Sequence, residues 1–287
     1  MPDNRLAALR VSSPKSFQLK KCDPDDRLGW HKQAAIAELE DVKVELDKLQ
    51  QRLFAESKRS LLLVLQARDA AGKDGTIRSI FSGLNPAGVE VTSFKAPAGR
   101  ENMQDYMWRV HIACPKRGDI GVFNRSHYED VLVVRVRGFE PPSVWRKRFR
   151  HINEFERMLT DEGTTIIKCF LNVSKEEQSR RFQDRLDDPA KRWKFRTDDL
   201  ADRELWPKFH DAYEDMMRKT STSYAPWHVV PADRNWVRNL AVAKIILQHL
   251  KAMNPKFPQP EPGLDRIKIA APRGDGSRGA SPGAQGP

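Results

Sequence analysis

Leu61-Leu62-Leu63-Val64-Leu65-Gln66-Ala67-Arg68-Asp69-Ala70-Ala71-Gly72-Lys73-Asp74-Gly75-Thr76 runs from an apolar stretch, through a loop of small residues, to a lysine at a helix start. Consecutive large aliphatics are the composition of a strand buried on both faces. Beyond Thr76, the residues Ile77, Ile80, Phe81 and Leu84 recur at helical spacing. Strand, loop and helix in that order predict a phosphate-binding loop. Consecutive backbone N–H groups and the positive end of the helix dipole surround phosphate oxygens there, while the lysine ammonium reaches the group being transferred. Against the pattern Gly-x-x-x-x-Gly-Lys-[Ser/Thr], Ala67 replaces the first glycine and Asp74 the hydroxyl residue that holds Mg²⁺. Asp69 inside the loop would repel phosphate unless a cation lay between them, so the loop is expected to handle phosphate through metal. Lys73 is expected to act on the transferring group, and Ala70, Ala71, Gly72, Asp74, Gly75 and Thr76 to contact phosphate or nucleotide. A strand, turn and helix without any ligand is the competing reading, and the helical pattern that follows directly argues against it.

Working outward, short apolar runs at residues 61–66, 89–94, 119–123, 164–173 and 227–231 alternate with helical patterns. The prediction is an α/β fold with a five-stranded parallel sheet sandwiched by helices, whose ligands collect at the C-terminal ends of the strands. Asp69 and Lys73 follow the first strand, Lys95 the second, and Asn124 and Arg125 the third. Residues 128–136 are ambiguous: Val131-Leu132-Val133-Val134 has strand propensity, but its position favours helix. Upstream, Leu39, Val42, Leu46, Leu49 and Leu53 form an apolar stripe that must pack on the domain or on another copy. The expected organisation is an arm and amphipathic helix over 1–58, a catalytic domain over 59–255, and a disordered Pro/Gly/Ser/Ala-rich tail over 256–287.

A chain of 287 residues that is 39% apolar has the make-up of one large soluble core. No apolar stretch approaches the ~20 residues that span a bilayer, and Met1-Pro2-Asp3-Asn4-Arg5 lacks the layout of a signal peptide. A cytoplasmic protein without a membrane partner is expected. Cys22, Cys114 and Cys169 have no zinc-like spacing. The net charge of +11 implies an anionic partner. Seven basic residues stand between Gln178 and Arg196 against three acidic ones, which suggests a cationic track. No aromatic RNA-binding signature accompanies them, which argues against nucleic acid.

A second constellation, Gly121-Val122-Phe123-Asn124-Arg125-Ser126-His127-Tyr128-Glu129-Asp130, follows the third strand. A phosphate-loop enzyme presents an acidic residue to its metal at this place. Here the first polar residue is Asn124, which adds no charge, so Asp69 and Glu129 become the candidate metal carboxylates. Arg125 could clamp phosphate, and His127 is expected to be structural.

These two stretches, with Asp188-Pro189-Ala190-Lys191-Arg192-Trp193-Lys194-Phe195 and Ala225-Pro226-Trp227-His228-Val229-Val230-Pro231-Ala232-Asp233, resemble the polyphosphate kinase 2 family over roughly residues 20–255. The resemblance implies a P-loop kinase-like fold with a helical lid near 175–225 and a Mg²⁺-dependent phosphotransferase, with Mn²⁺ as a possible substitute. Inorganic polyphosphate would be the donor. The second motif looks like the class III branch, which acts on both AMP and ADP to give ADP and ATP, reversibly. Carried over by resemblance, Asp69, Lys73, Asn124, Arg125, Glu129 and Arg185 are catalytic, with Asp69 and Glu129 placing the metal. Arg109 borders the nucleotide, and Arg181, Lys191, Arg192 and Lys194 bind polyphosphate. A homo-oligomer, dimer or tetramer, is also implied. The chain departs from the family at Ala98-Gly99-Arg100-Glu101-Asn102, where a more acidic helix start is usual. Competing readings are an ADP-only polyphosphate kinase, an ATP-dependent nucleoside monophosphate kinase and a non-catalytic nucleic-acid-binding protein.

Overall fold

The computed structural model describes residues 4–269. In chain order its elements are α1 (Asn4–Leu9), α2 (Lys32–Glu56), β1 (Ser60–Ala67), α3 (Lys73–Phe81), β2 (Val89–Ser93), α4 (Trp108–Ile112), β3 (Ile120–Asn124), α5 (Val133–Val136), α6 (Pro142–Asp161), β4 (Thr164–Asn172), α7 (Lys175–Asp187), α8 (Asp198–Glu204), α9 (Trp206–Thr220), β5 (Trp227–Pro231) and α10 (Asn235–Met253), with short 3-10 turns between them.

β1 is buried along its whole length because its period-2 alternation serves two cores. Leu61, Leu63 and Leu65 face the side covered by α2, α3 and α10. Leu62 and Val64 face the side covered by α6 and α9, with Tyr128 and Trp227. The five strands are all parallel, in the order β2-β3-β1-β4-β5. From β1 the chain steps outward to β2, returns to β3 beside β1, then crosses to β4 on the other side. The loops after β1 and β3 therefore flank the crevice where the winding reverses, the place where α/β sheets bind ligands. The five predicted strands are present, with ends shifted by one residue in several cases.

The ambiguous stretch is helical: a 3-10 turn covers His127–Asp130, followed by α5. Val131 and Leu132 are buried against the α6 and α9 core, so packing overrides their strand propensity. The stripe Leu39, Val42, Leu46, Leu49 and Leu53 is buried against α10. α1 buries Leu6 and Leu9 in the same core, and Arg10 bridges His228 of β5. The described part of the segment expected as arm and amphipathic helix, 4–58, thus folds within the unit that carries the sheet. Of the expected tail, 258–269 belongs to a second unit with one 3-10 turn, Leu264–Arg266; residues 270–287 lie outside the described residues. Among the described residues no helix is long and apolar enough to cross a membrane.

Beneath the second motif lies a buried polar network. Lys168 Nζ of β4 donates to Glu156 Oε2 at 2.6 Å, Tyr128 Oη at 2.8 Å and the Thr220 carbonyl at 2.7 Å. Glu156 Oε1 accepts from Tyr128 Oη at 2.7 Å and lies 3.3 Å from His127 Nε2. Burial pulls the Glu156 carboxyl upward, but Lys168 and His127 outweigh it and leave it below the ordinary carboxylate value. His127 and Tyr128 are therefore foundations of the loop that ends in Glu129.

Candidate active site

The phosphate loop begins where β1 ends. Ala70 (φ 61°) and Gly72 (φ 101°) adopt the left-handed conformation, and Ala71 N donates to the Arg68 carbonyl at 3.3 Å. The first bond of α3 runs from Thr76 N to the Gly72 carbonyl at 2.9 Å. The amides of Gly72, Lys73, Asp74 and Gly75 therefore have no intrahelical acceptor and form, with the dipole of α3, a cradle for anionic oxygen. A left-handed Ala70 costs about 1–3 kcal/mol and persists only where surroundings enforce it. Two arginines do so. Arg181 Nη1 holds the carbonyls of Ala70 at 2.9 Å and Ala71 at 3.0 Å, and Arg238 Nη1 holds the Ala71 carbonyl at 2.9 Å.

Lys73 is half-buried, with Nζ 3.3 Å from the Ala67 carbonyl. Burial, joined by the Arg125 guanidinium, holds its ammonium below the ordinary lysine value against the opposing pull of Asp69, Glu129 and Asp74. An ammonium kept short of counter-charge gains most when phosphate arrives.

The loop after β3 faces it. Arg125, also left-handed (φ 62°), donates its backbone N–H to the Leu65 carbonyl at 3.1 Å and Nη2 to Asp69 Oδ1 at 2.7 Å. Glu129 raises the Arg125 pKa most, with Asp69 adding to it against burial, so the guanidinium stays charged. Glu129 Oε1 accepts from Gln66 Nε2 at 3.0 Å. Asn124 Nδ2 donates to Asp74 Oδ1 at 2.6 Å, so an aspartate at 124 would set two carboxylates against each other. Asp69, Arg125 and Glu129 line one cavity of about 40 Å³ with Arg68, Gln178, Asp199, Asp202 and Trp206. At roughly 10–15 Å³ per water this holds a few waters rather than a nucleotide.

Asp69 and Glu129 each keep an oxygen that makes none of these bonds. Mg²⁺ takes one or two carboxylates and completes its shell with water and phosphate, so this donor set fits Mg²⁺. No group of three or more His, Cys, Asp or Glu forms a protein-only metal cage among the described residues.

The other predicted site residues divide. Thr76 is buried and gives its hydroxyl to the Gly72 carbonyl at 3.1 Å and Asn239 Oδ1 at 3.4 Å, so it braces α3 rather than facing a ligand. Arg181, expected to bind polyphosphate, is likewise engaged by the fold. Besides the two loop carbonyls, its Nη2 serves the carbonyls of Ala232 at 2.7 Å and Asp233 at 3.0 Å, and its Nε serves Glu177 at 2.7 Å. Its donors are engaged by protein, which leaves none for a polymer. Arg109 donates Nη1 to the Lys95 carbonyl at 2.7 Å and to Glu101 Oε2 at 3.2 Å, which ties α4 to the end of β2. Arg185 contacts the Lys194 carbonyl at 3.2 Å and lies 3.9 Å from Asp199, next to the cavity without lining it. Lys191, Arg192 and Lys194 sit together on the turn between α7 and α8, the first two exposed and the third half-buried. Gln66, Gln178 and Arg238 have a part that local patterning could not announce. Gln178 Nε2 holds the Asp69 carbonyl at 3.0 Å from α7, a residue 109 positions away.

Residues 29–258 match the family model of polyphosphate kinase 2. An AMP/ADP-polyphosphate phosphotransferase of Meiothermus ruber is 53% identical over 262 residues, covering 91% of this chain and 98% of that protein. An ADP-polyphosphate phosphotransferase of Rhodopseudomonas palustris is 43% identical over 229 residues, covering 76% and 79% respectively. The crystal structure of polyphosphate kinase 2 from Arthrobacter aurescens TC1 superposes with a TM-score of 0.86 at 42% identity, covering 90% of this chain and 92% of that one. With the phosphate loop, the facing Asn-Arg-Ser-His-Tyr-Glu-Asp loop and the parallel sheet joined in one molecule, the chain belongs to the polyphosphate kinase 2 family.

Proposed function

We propose that this protein transfers phosphoryl groups from inorganic polyphosphate to AMP and ADP, giving ADP and ATP, and runs the reverse reaction as well. The observation that carries the proposal is that Asp69, Arg125 and Glu129 line one cavity, with the Lys73 ammonium close enough to feel the charge of all three. Phosphoryl transfer asks a protein mainly for positioning and charge neutralisation. The free amides of Gly72 to Gly75 and the Lys73 ammonium hold phosphate oxygens. Arg125, kept charged and aimed by Asp69, offsets charge that develops on the transferring group, and Arg185 joins it from the lid. Asp69 and Glu129 would hold Mg²⁺, which when bound neutralises and orients the phosphate oxygens. Asn124, locked by Asp74, orients the same edge, and with Glu129 supports use of both acceptors. The likeness to the Meiothermus ruber enzyme supports the same pair of acceptors. The lid over 175–225 and a homo-oligomer, dimer or tetramer, belong to this reading, as does a cytoplasmic setting, which the free thiols of Cys22, Cys114 and Cys169 support.

Purified protein given AMP, Mg²⁺ and polyphosphate without ATP should form ADP first and ATP later, followed by chromatography. If AMP is untouched while ADP is consumed, the dual-acceptor assignment fails. If AMP is phosphorylated only when ATP is supplied, polyphosphate is not the donor.

The turn carrying Lys191, Arg192 and Lys194 is proposed as the entrance of the polymer. Arg192 Nε is held by the Leu186 carbonyl at 2.8 Å, Lys191 pairs with Asp188 at 2.7 Å, and the Lys194 ammonium lies 5.1 Å from the centre of the Trp193 ring. Each ionic contact with a polyanion releases counterions and steepens the salt dependence. Neutralising all three should raise the Michaelis constant for polyphosphate several-fold and flatten its salt slope while leaving that for AMP within about twofold. An unaltered polyphosphate constant would mean that the donor enters elsewhere.

A further inference from the structure

Arg68 is a charged residue of the site to which none of these roles applies. It is only 7% exposed, and its Nε and Nη2 have no hydrogen-bond partner. Burial lowers its pKa to about 10. What surrounds the guanidinium is aromatic: its carbon lies 4.1 Å from the centre of the Trp206 ring, 5.3 Å from that of Tyr213 and 5.9 Å from that of Phe170. Ring faces attract a cation, most strongly when both are desolvated and most of all for tryptophan. A methionine would fill the same space without the cost of burying a charge, so the charge and its planar shape need a purpose.

Anion binding is a poor one. The cavity that Arg68 lines also holds Asp69, Glu129, Asp199 and Asp202, and these outnumber the guanidiniums of Arg68 and Arg125. A bare phosphate there would meet net repulsion. The connections of Arg68 along the chain suggest another purpose. Its carbonyl closes the turn of the phosphate loop by accepting from Ala71 N at 3.3 Å, and its neighbour is Asp69. Trp206 opens α9 directly after α8, the helix that brings Asp199 and Asp202 to the cavity. The turn between α7 and α8 is exposed, with Trp193 at 77%, whereas α8 has a further tie from outside the lid, Arg137 Nε donating to Asp202 Oδ1 at 2.8 Å. A second tie near Trp206 reaches the same place, because Arg203 Nη1 bonds Gln178 Oε1 at 3.0 Å and Gln178 holds the Asp69 carbonyl at 3.0 Å.

We infer that Arg68 is a positioning residue whose stack on Trp206 latches the lid helices onto the phosphate loop and thereby sets the direction of Asp69. The inference rests on the phosphotransferase reading of the site. Four variants test it: Arg68→Met, Trp206→Leu, the double variant of these two, and Trp206→Phe, which keeps an aromatic face.

The first measurement uses no substrate. Trypsin should nick Arg68→Met and Trp206→Leu about tenfold faster than the parent after Lys191, Arg192, Lys194 or Arg196, with the urea midpoint nearly unchanged, and Trp206→Phe should stay close to the parent. The second is kinetic. Turnover with AMP and polyphosphate should fall about tenfold in either single variant, the Michaelis constant for AMP should hold within about twofold, and the double variant should be no worse than a single one. Nicking at the parental rate, or nicking spread over the chain with a matching loss of urea resistance, would overturn the latch. So would additive losses of turnover, or faster nicking with full turnover. If the parent itself uses no polyphosphate, the proposed function fails, while the trypsin comparison still decides whether the latch exists.

Discussion

Replacing Lys73 with alanine is expected to lower turnover by about three orders of magnitude, roughly 4 kcal/mol of transition-state stabilisation, while the fold becomes no less stable. Both halves follow from its surroundings. In the proposed mechanism the ammonium supplies positive charge where the transferring group sits, and no carboxylate among the described residues forms an ion pair with it. Its pKa in the folded state is depressed, chiefly by burial. A depressed lysine pKa means that protonation works against folding: the penalty is fully present below the folded pKa and disappears as pH rises past the unfolded value. At neutral pH, removing the side chain relieves that penalty and gives up only the 3.3 Å bond to Ala67. Steady-state kinetics beside urea unfolding test the pair of claims. Turnover within tenfold of the parent would dismantle the phosphate-loop mechanism, and a large loss of stability would mean that Lys73 is structural.

The second large effect is expected at Gly72. Its φ of 101° suits glycine, and a Cβ built there would lie 2.0 Å from Arg238 Nη1 and 2.7 Å from Arg238 Cζ. Arg238 cannot retreat easily. It is 3% exposed, and its pKa is pushed down to about 9 by burial and by Arg181. Its Nη1 serves Ala71 and Asn235, and its Nη2 serves Asn239. Gly72→Ala should therefore cost about 3–5 kcal/mol, combining backbone strain with disruption of charged hydrogen bonds. Activity should fall about a hundredfold or more because the amide cradle is displaced. Gly75→Ala is the control. A Cβ there meets Arg238 Nη2 at 3.4 Å, an ordinary approach, and its position is helical, so its unfolding midpoint should match the parent or exceed it. Equal stability losses in the two variants would show that Arg238 is not the obstacle.

Much of the site was legible because its physics is local. The alternation in β1, the small residues of the loop and the helical spacing after it act within a few residues of one another. They sufficed to place Lys73, Asp69 and the cradle, and the short stretch after β3 sufficed for Arg125 and Glu129. The cationic residues were harder to sort. Arg181 and Lys191 look alike in a charge count, yet one is enclosed by backbone carbonyls and the other stands exposed.

The sequence by itself determined the α/β class and the order of strand, loop and helix, and it pointed to Asp69, Arg125 and Glu129, which line one cavity, because side-chain periodicity and backbone preference are properties of neighbouring residues. Only the tertiary structure decided which guanidiniums brace the fold and which line the cavity. Arg181 finds Ala70 across 111 positions, Arg238 finds Ala71 across 167, and Arg68 stacks on Trp206 in the lid. Every arginine offers the same planar fork of donors. Its role is set by which carbonyls, rings or carboxylates the folded chain brings within about 3–4 Å of it, and that proximity exists only once the sheet has joined distant segments at one edge.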